Sequence, residues 1–188
     1  MTTPGNQTKA RILAAARAEF AAFGFAGARV DRIADAAGVN KERIYAHVGD
    51  KKRLFAAVVE ANMSDLYVHI ALDAADLPES AGRIFDHLTA QPEHLRILDW
   101  ARLEGLDEIA ATFDKHRPDR QVLLDAVARA QREGLVRPDL RPHDVVISIF
   151  AIAAGWMHAP RHLIETWNPP VGSQRAVVVE SVRRLVAP

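Results

Sequence analysis

Apolar residues recur at helical spacing almost throughout the chain, and no stretch holds the apolar/polar alternation of a half-buried strand. Over 8–23, Ile12, Leu13, Ala16, Phe20 and Phe23 fall on one stripe, leaving Lys9, Arg11, Arg17 and Glu19 to water. Gly24 suits the position just past the end of that helix. A short helix is predicted over 31–37, with Ile33, Ala34 and Ala37 inward and Asp31 in its first turn, and Gly38 breaks it. Asn40 can cap a second short helix over 41–47, Gly49 closes it, and Asp50 can cap a long helix over 51–71. Proline-punctuated helices follow near 79–90, 92–106, 118–133, 143–159 and 173–186, with Gly134 and the RPDLRP segment, Arg137 to Pro142, as turns. The pattern predicts an all-α chain of about nine helices. Its one boundary lies in the long fourth helix, dividing 1–55 from 56–188.

Composition adds little until charge is read by region. With 188 residues, 49% of them apolar, the chain can bury a sizeable core, and having no cysteine it does so without disulfides. The formal charge is zero, but residues 1–60 hold ten Lys and Arg against six Asp and Glu, and residues 61–188 hold fourteen against eighteen. A basic region of +4 is thus followed by an acidic one of −4. The first residues lack the apolar core of a secretory signal. The most apolar stretch, Val145 to Met157, carries Ser148 and is too short to span a bilayer. A cytoplasmic protein with no membrane partner is expected.

The informative segment runs from Ala28 to Val58, ARVDRIADAAGVNKERIYAHVGDKKRLFAAV. Two short helices joined by Ala37-Gly38-Val39 make a helix-turn-helix, whose second helix enters the major groove of DNA. That helix is short, so its polar face offers few candidates: Lys41, Glu42, Arg43, Tyr45, Ala46 and His47. With the entry ILAAARAEFAAFGFAGARV and the anchors Gly24-Phe25, Ile33-Ala34, Ala37-Gly38-Val39, Tyr45, His47, Lys51 and Leu54-Phe55, the segment resembles the TetR family of transcriptional regulators. The close match covers about fifty residues; downstream only the layout of helices is similar.

The resemblance implies an N-terminal three-helix DNA-binding domain followed by a larger helical domain for effector binding and dimerisation. It places Tyr45, His47 and Lys51 at DNA phosphates or nearby groove edges, which suits a phenol, an imidazole and an ammonium as donors. Tyr45 packed on the first helix and Lys51 as a solvated cation are the plainer alternatives. Lys41 and Arg43 can reach base edges or phosphates, and which of them reads a base stays open. Glu42 could accept from a cytosine, although favouring the positive end of its helix is the simpler role. The chain departs from the common family pattern at Ala28-Arg29, where a hydroxyl that would cap the second helix is missing and Arg29 can supply the phosphate contact instead. Glu42-Arg43 and Val48 are further departures, the first bearing on operator sequence, the second on core volume.

In the acidic region the helix through Val146, Ile149, Phe150 and Ala153 is apolar almost all round, and the last helix adds Val178, Val182 and Leu185. Such helices need covering on every side. The resemblance implies dimerisation through these two, hence a palindromic operator. It also implies an apolar effector pocket, for which Phe85, Leu88, Trp100, Arg102, Leu103, Phe113, Trp156 and Trp167 are candidates. For any one of these, core packing is the plainer role.

The function expected is a dimeric regulator, a repressor in its simplest form, released from a palindromic operator by a small molecule. Two other readings stay open: a helical protein-interaction module that uses the helix-turn-helix only for packing, and an enzyme. No Gly-x-Ser-x-Gly, phosphate loop, His-Glu-x-x-His or cysteine zinc pattern supports the last, so no catalytic residue or cofactor is expected. No metal is expected either. His158 and His162 straddle Pro160, while His87, His94, His116 and His143 lack close-spaced partners and most are expected to face solvent.

Overall fold

The structure, a computed structural model, describes residues 4–105, 107–167 and 170–188, with the side chains of all but Pro4, Asp107, Glu108, Ala110, Phe113 and Val171. Every regular element among them is a helix: α1 Pro4–Gly27, α2 Val30–Ala37, α3 Lys41–Val48, α4 Lys51–His69, α5 Leu77–Ala90, α6 Pro92–Glu104, α7 Asp107–Lys115, α8 Arg117–Arg132, α9 Pro142–His158, α10 Arg161–Trp167 and α11 Val171–Val186. Two of these, α7 and α10, fall in segments that the periodicity left unassigned. No helix among the described residues is long and apolar enough to cross a membrane. The chain forms two compact units, one holding the residues up to Asp65 with Glu93–His116, the other Leu66–Pro92 with Arg117–Pro188.

The first unit is built on an aromatic cluster. The Phe20 and Phe55 rings lie 4.8 Å apart and the Phe25 and Phe55 rings 5.6 Å apart. Ile12 and Ala16 of α1, Ile33 of α2, Ile44 of α3 and Leu54 of α4 complete a core with no exposed surface. Gly24 interrupts α1 with φ 66°, and the Trp100 ring of α6 lies against it, 2.9 Å from where a Cβ would sit. Only glycine satisfies both demands. Phe23, expected on the buried stripe, instead points outward under the Arg32 guanidinium, 4.5 Å from its ring centre.

Two polar residues expected in water are instead buried or half-buried in this unit. Glu19 is buried, accepting from Arg32 Nε at 2.8 Å and from the Arg29 backbone N–H at 2.8 Å. Arg17 places Nη1 3.4 Å from Nε2 of His94, a fully buried histidine whose Nε2 also lies 3.2 Å from Asp65 Oδ2. His116 is buried and His87 half-buried, so of the four histidines expected mainly at the surface only His143 is exposed.

In the second unit α5, α9 and α11 share one core. Leu77, Ala81, Phe85 and Leu88 of α5 meet Val145, Ile149 and Ala153 of α9 and Val178, Val182 and Val186 of α11. The last two sets each recur every four residues, one stripe on one face. Gly82 lets α5 and α11 approach closely, since a Cβ there would lie 3.0 Å from Val179 Cγ2. Above it Arg175 bonds Glu79 and, at 2.8 Å, Asp86. The turn before α9 is held by Gln131 Nε2, which donates to the Arg137 and Leu140 carbonyls at 3.0 and 2.7 Å.

Candidate nucleic-acid interface

The two short helices α2 and α3 owe their ends to local sequence. Gly38 takes the left-handed conformation, φ 62°, and its N–H closes α2 on Ala34 and Asp35. Asn40 Oδ1 then accepts from the Arg43 N–H at 2.9 Å, capping α3, and Asp50 Oδ1 accepts from the Arg53 N–H at 2.8 Å, capping α4. At the start of α2 the residue in the cap position is Arg29, and it makes no side-chain cap. Glu19 accepts the N–H of Arg29 itself, which fixes the entry to α2 but is not the first-turn N–H that a capping hydroxyl would take. Burial pushes the Glu19 carboxyl upward, but the hydrogen bonds from Arg32 and Arg29 outweigh it and hold the group below the usual glutamate value.

Of the eight residues of α3 only Ile44 is buried. Glu42, Arg43, Tyr45, Ala46 and His47 are exposed, and Arg29 is exposed at the entry to α2. Lys41 is half-buried and bridged to Asp31 of α2 at 2.9 Å. The shared hydrogen bond draws the Asp31 carboxyl below its ordinary value and raises the Lys41 ammonium. Lys51 holds its ammonium 4.9 Å above the Phe25 ring and 3.4 Å from the Ala26 carbonyl. The arrangement is an exposed helix face of mixed donors, pinned from behind at one point and flanked by cations.

A sequence profile described as "Bacterial regulatory proteins, tetR family" matches residues 12–58, and one described as "Tetracyclin repressor-like, C-terminal domain" matches residues 76–184. The HTH-type transcriptional repressor SCO4008 of Streptomyces coelicolor is 36% identical over 186 residues, 95% of each chain. The chain belongs to the TetR family. It is accordingly a DNA-binding transcriptional regulator and not an enzyme. The structure of SCO4942 from Streptomyces coelicolor, assigned as a transcriptional regulator, is similar to that of this TetR-family chain with TM-score 0.82 and 41% identity, covering 95% of this chain and 98% of that one. The ketosteroid transcriptional regulator KstR2 of Mycobacterium tuberculosis, 19% identical, shares the fold at TM-score 0.70 over 100% of this chain and 97% of its own.

The remaining predicted residues of the TetR-family chain divide by burial. In the interface set, Ile149, Ala153, Val178 and Val182 have at most 1% of their surface exposed within a single chain. Their stripe faces the shared core of the second unit, so they have nothing left to offer a partner. Val146, Phe150 and Leu185 remain half-exposed, and Ile147 and Val177, outside the set, are 67% and 51% exposed. In the effector set, Phe85 and Leu88 are buried and Trp156 half-buried in the second unit. Trp100 belongs to the first unit, where it packs on Gly24. Arg102, Leu103 and Trp167 are exposed, so they line no interior space, and the Phe113 side chain lies outside the described residues. An open cleft of about 420 Å³ in the second unit is lined by Leu77, Leu135, Val136, Arg183 and Val186 among others, and by none of the effector set.

Missed by sequence reasoning was the pairing of Glu19 with Arg32 and Arg29. Glu19 sits on the apparent polar face of α1, and only the approach of α2 turns that position inward.

Proposed function

We propose that this TetR-family regulator is a repressor that binds a palindromic operator as a dimer and leaves it when a small apolar effector binds. The observation that supports the reading best is α3 itself: a helix with one buried side chain and an exposed face of Arg43, Tyr45 and His47, with Lys51 on the next helix, on a chain of this family. Residues 1–55 act as the DNA reader and residues 56–188 as the effector-binding and dimerisation body. Arg29, Tyr45, His47 and Lys51 serve as phosphate or groove-edge contacts, Arg43 reads a base, and Lys41 exchanges Asp31 for DNA. The dimer forms through the outer faces of α9 and α11, with Val146, Phe150 and Leu185 joined by Ile147 and Val177. The effector is received in the second unit near Phe85, Leu88 and Trp156, and α4 acts as the lever. The place of action is the cytoplasm, where a bacterial chromosome lies.

Selecting bound duplexes from a random DNA pool tests operator, palindromy and spacing together. If a dimer neutralises about eight phosphates, log K should fall against log salt with a slope of about −7. A slope near zero, or enrichment of single unpaired half-sites, would overturn the reading. Ile147→Glu should leave the helical content unchanged and shift the sedimenting species to the monomer.

A further inference from the structure

On the first unit, α1, the end of α2 and the start of α3 enclose an open cleft of about 460 Å³, lined by Arg11, Asp35, Gly38, Val39, Asn40 and Arg43 among others. Arg43 stands on α3, the helix assigned to the major groove, whereas Arg11 lies on α1, outside the helix-turn-helix altogether. Both arginines are exposed, and among the described residues Arg11 makes no ion pair. Two guanidiniums and one carboxylate therefore share an open notch beside the first turn of α3. A recognition helix seated in the major groove has the sugar-phosphate backbone at the groove's rim, and the notch opens at that end of α3. A guanidinium presents a planar fork that matches phosphate oxygens in two hydrogen bonds.

We infer that Arg11 is a further DNA-backbone contact, gripping a phosphate that lies across this notch, and that Asp35 opposes the same phosphate. This rests on the regulator reading above and adds α1 to the interface. Asp35 sets a ceiling on non-specific affinity: its carboxylate repels any backbone entering the notch, whatever the base sequence. The contact carries no sequence information, unlike that of Arg43.

The test uses the full chain, a duplex enriched from random DNA by the wild-type protein, and a second duplex of random sequence, each titrated from about 50 to about 200 mM salt. Arg11→Gln should weaken binding to both duplexes by the same factor and flatten the salt slope by about 0.9 for each protomer bound. Asp35→Asn should shift both affinities the opposite way. The inference fails if Arg11→Gln binds as the wild type does, if it weakens only the enriched duplex, or if the two variants move affinity in the same direction with the slope unchanged, as a structural disturbance would. A wild-type protein that binds neither duplex would remove the regulator reading together with this contact, while normal wild-type binding with an indifferent Arg11 removes the contact alone.

Discussion

In α3 one side chain of eight, Ile44, is buried, whereas α9 buries Val145, Ile149, Ala153 and Ala154 and leaves Val146, Phe150, Ile152, Trp156 and Met157 half-covered. The first helix is held by one buried side chain, the Asn40 cap and the Lys41–Asp31 bridge; the second is held by packing along its length. A helix with a polar outer face is complete in water, and its side chains are free for a polar partner such as DNA. A helix with Ile147 on its outer face still exposes apolar surface. The difference teaches that the reading helix borrows its stability from the unit around it, while α9 supplies stability to the unit it belongs to.

The largest break in that comparison comes from the core that α3 leans on. Phe55→Ala should cost about 3–5 kcal/mol in urea unfolding, because it empties the cluster shared with Phe20 and Phe25. Gly24→Ala should follow at about 2–4 kcal/mol, combining the left-handed penalty with overpacking against Trp100. Trp100→Ala in the same chain should recover only the overpacking part, which a thermal melt of the three variants separates.

A matched pair sharpens the contrast further. Ile44→Val and Ile149→Val each remove one methylene from a fully packed site and should each cost about 0.5–1.5 kcal/mol. Only the first should weaken DNA binding in a titration, since α3 has a single buried side chain to hold its place. Equal effects on binding would mean that the two helices do not differ in the way described.

Glu19→Gln should cost about 1 kcal/mol at neutral pH, the usual worth of a charged hydrogen bond discounted for an Arg32 that is 43% exposed. The wild-type carboxyl titrates below its ordinary 4.5 when folded, so its contribution is complete above about that pH and disappears as pH falls through the folded value. The variant should therefore show a shallower loss of stability below pH 4.5. The smallest effect belongs to Arg175→Ala in the second unit. Its ion pairs with Glu79 and Asp86 are partly exposed, so the difference from wild type should vanish in about 1 M salt, where screening acts within about 3 Å.

Much of the fold was legible because it is written in local signals. Gly38, Asn40 and Asp50 mark helix ends by backbone freedom and side-chain capping, and each end falls where those residues stand. Ile33 and Ile44 identify the inward faces of α2 and α3 for the same local reason, the helical period. Less legible was anything that depends on which helix approaches which face. Trp100 on α6 gave no sign in sequence that it would lie on Gly24, far away along the chain. Ile149 and Val182 are as apolar as Ile147 and Val177, and periodicity cannot say which stripe meets the chain's own core.

The chain's sequence by itself determined that the protein is helical, where its reading helix begins and ends, which exposed residues that helix carries, and the family to which it belongs. These follow from backbone dihedral preferences, capping hydrogen bonds and the spacing of apolar residues, all acting within a few positions. Only the tertiary structure decided that Glu19 holds the entry to α2, that Arg11 shares a cleft with Arg43, and that four of the seven expected partner residues on α9 and α11 are already buried. Those outcomes depend on side chains brought together from distant positions, where an apolar or charged residue gains its meaning from the neighbour that covers it.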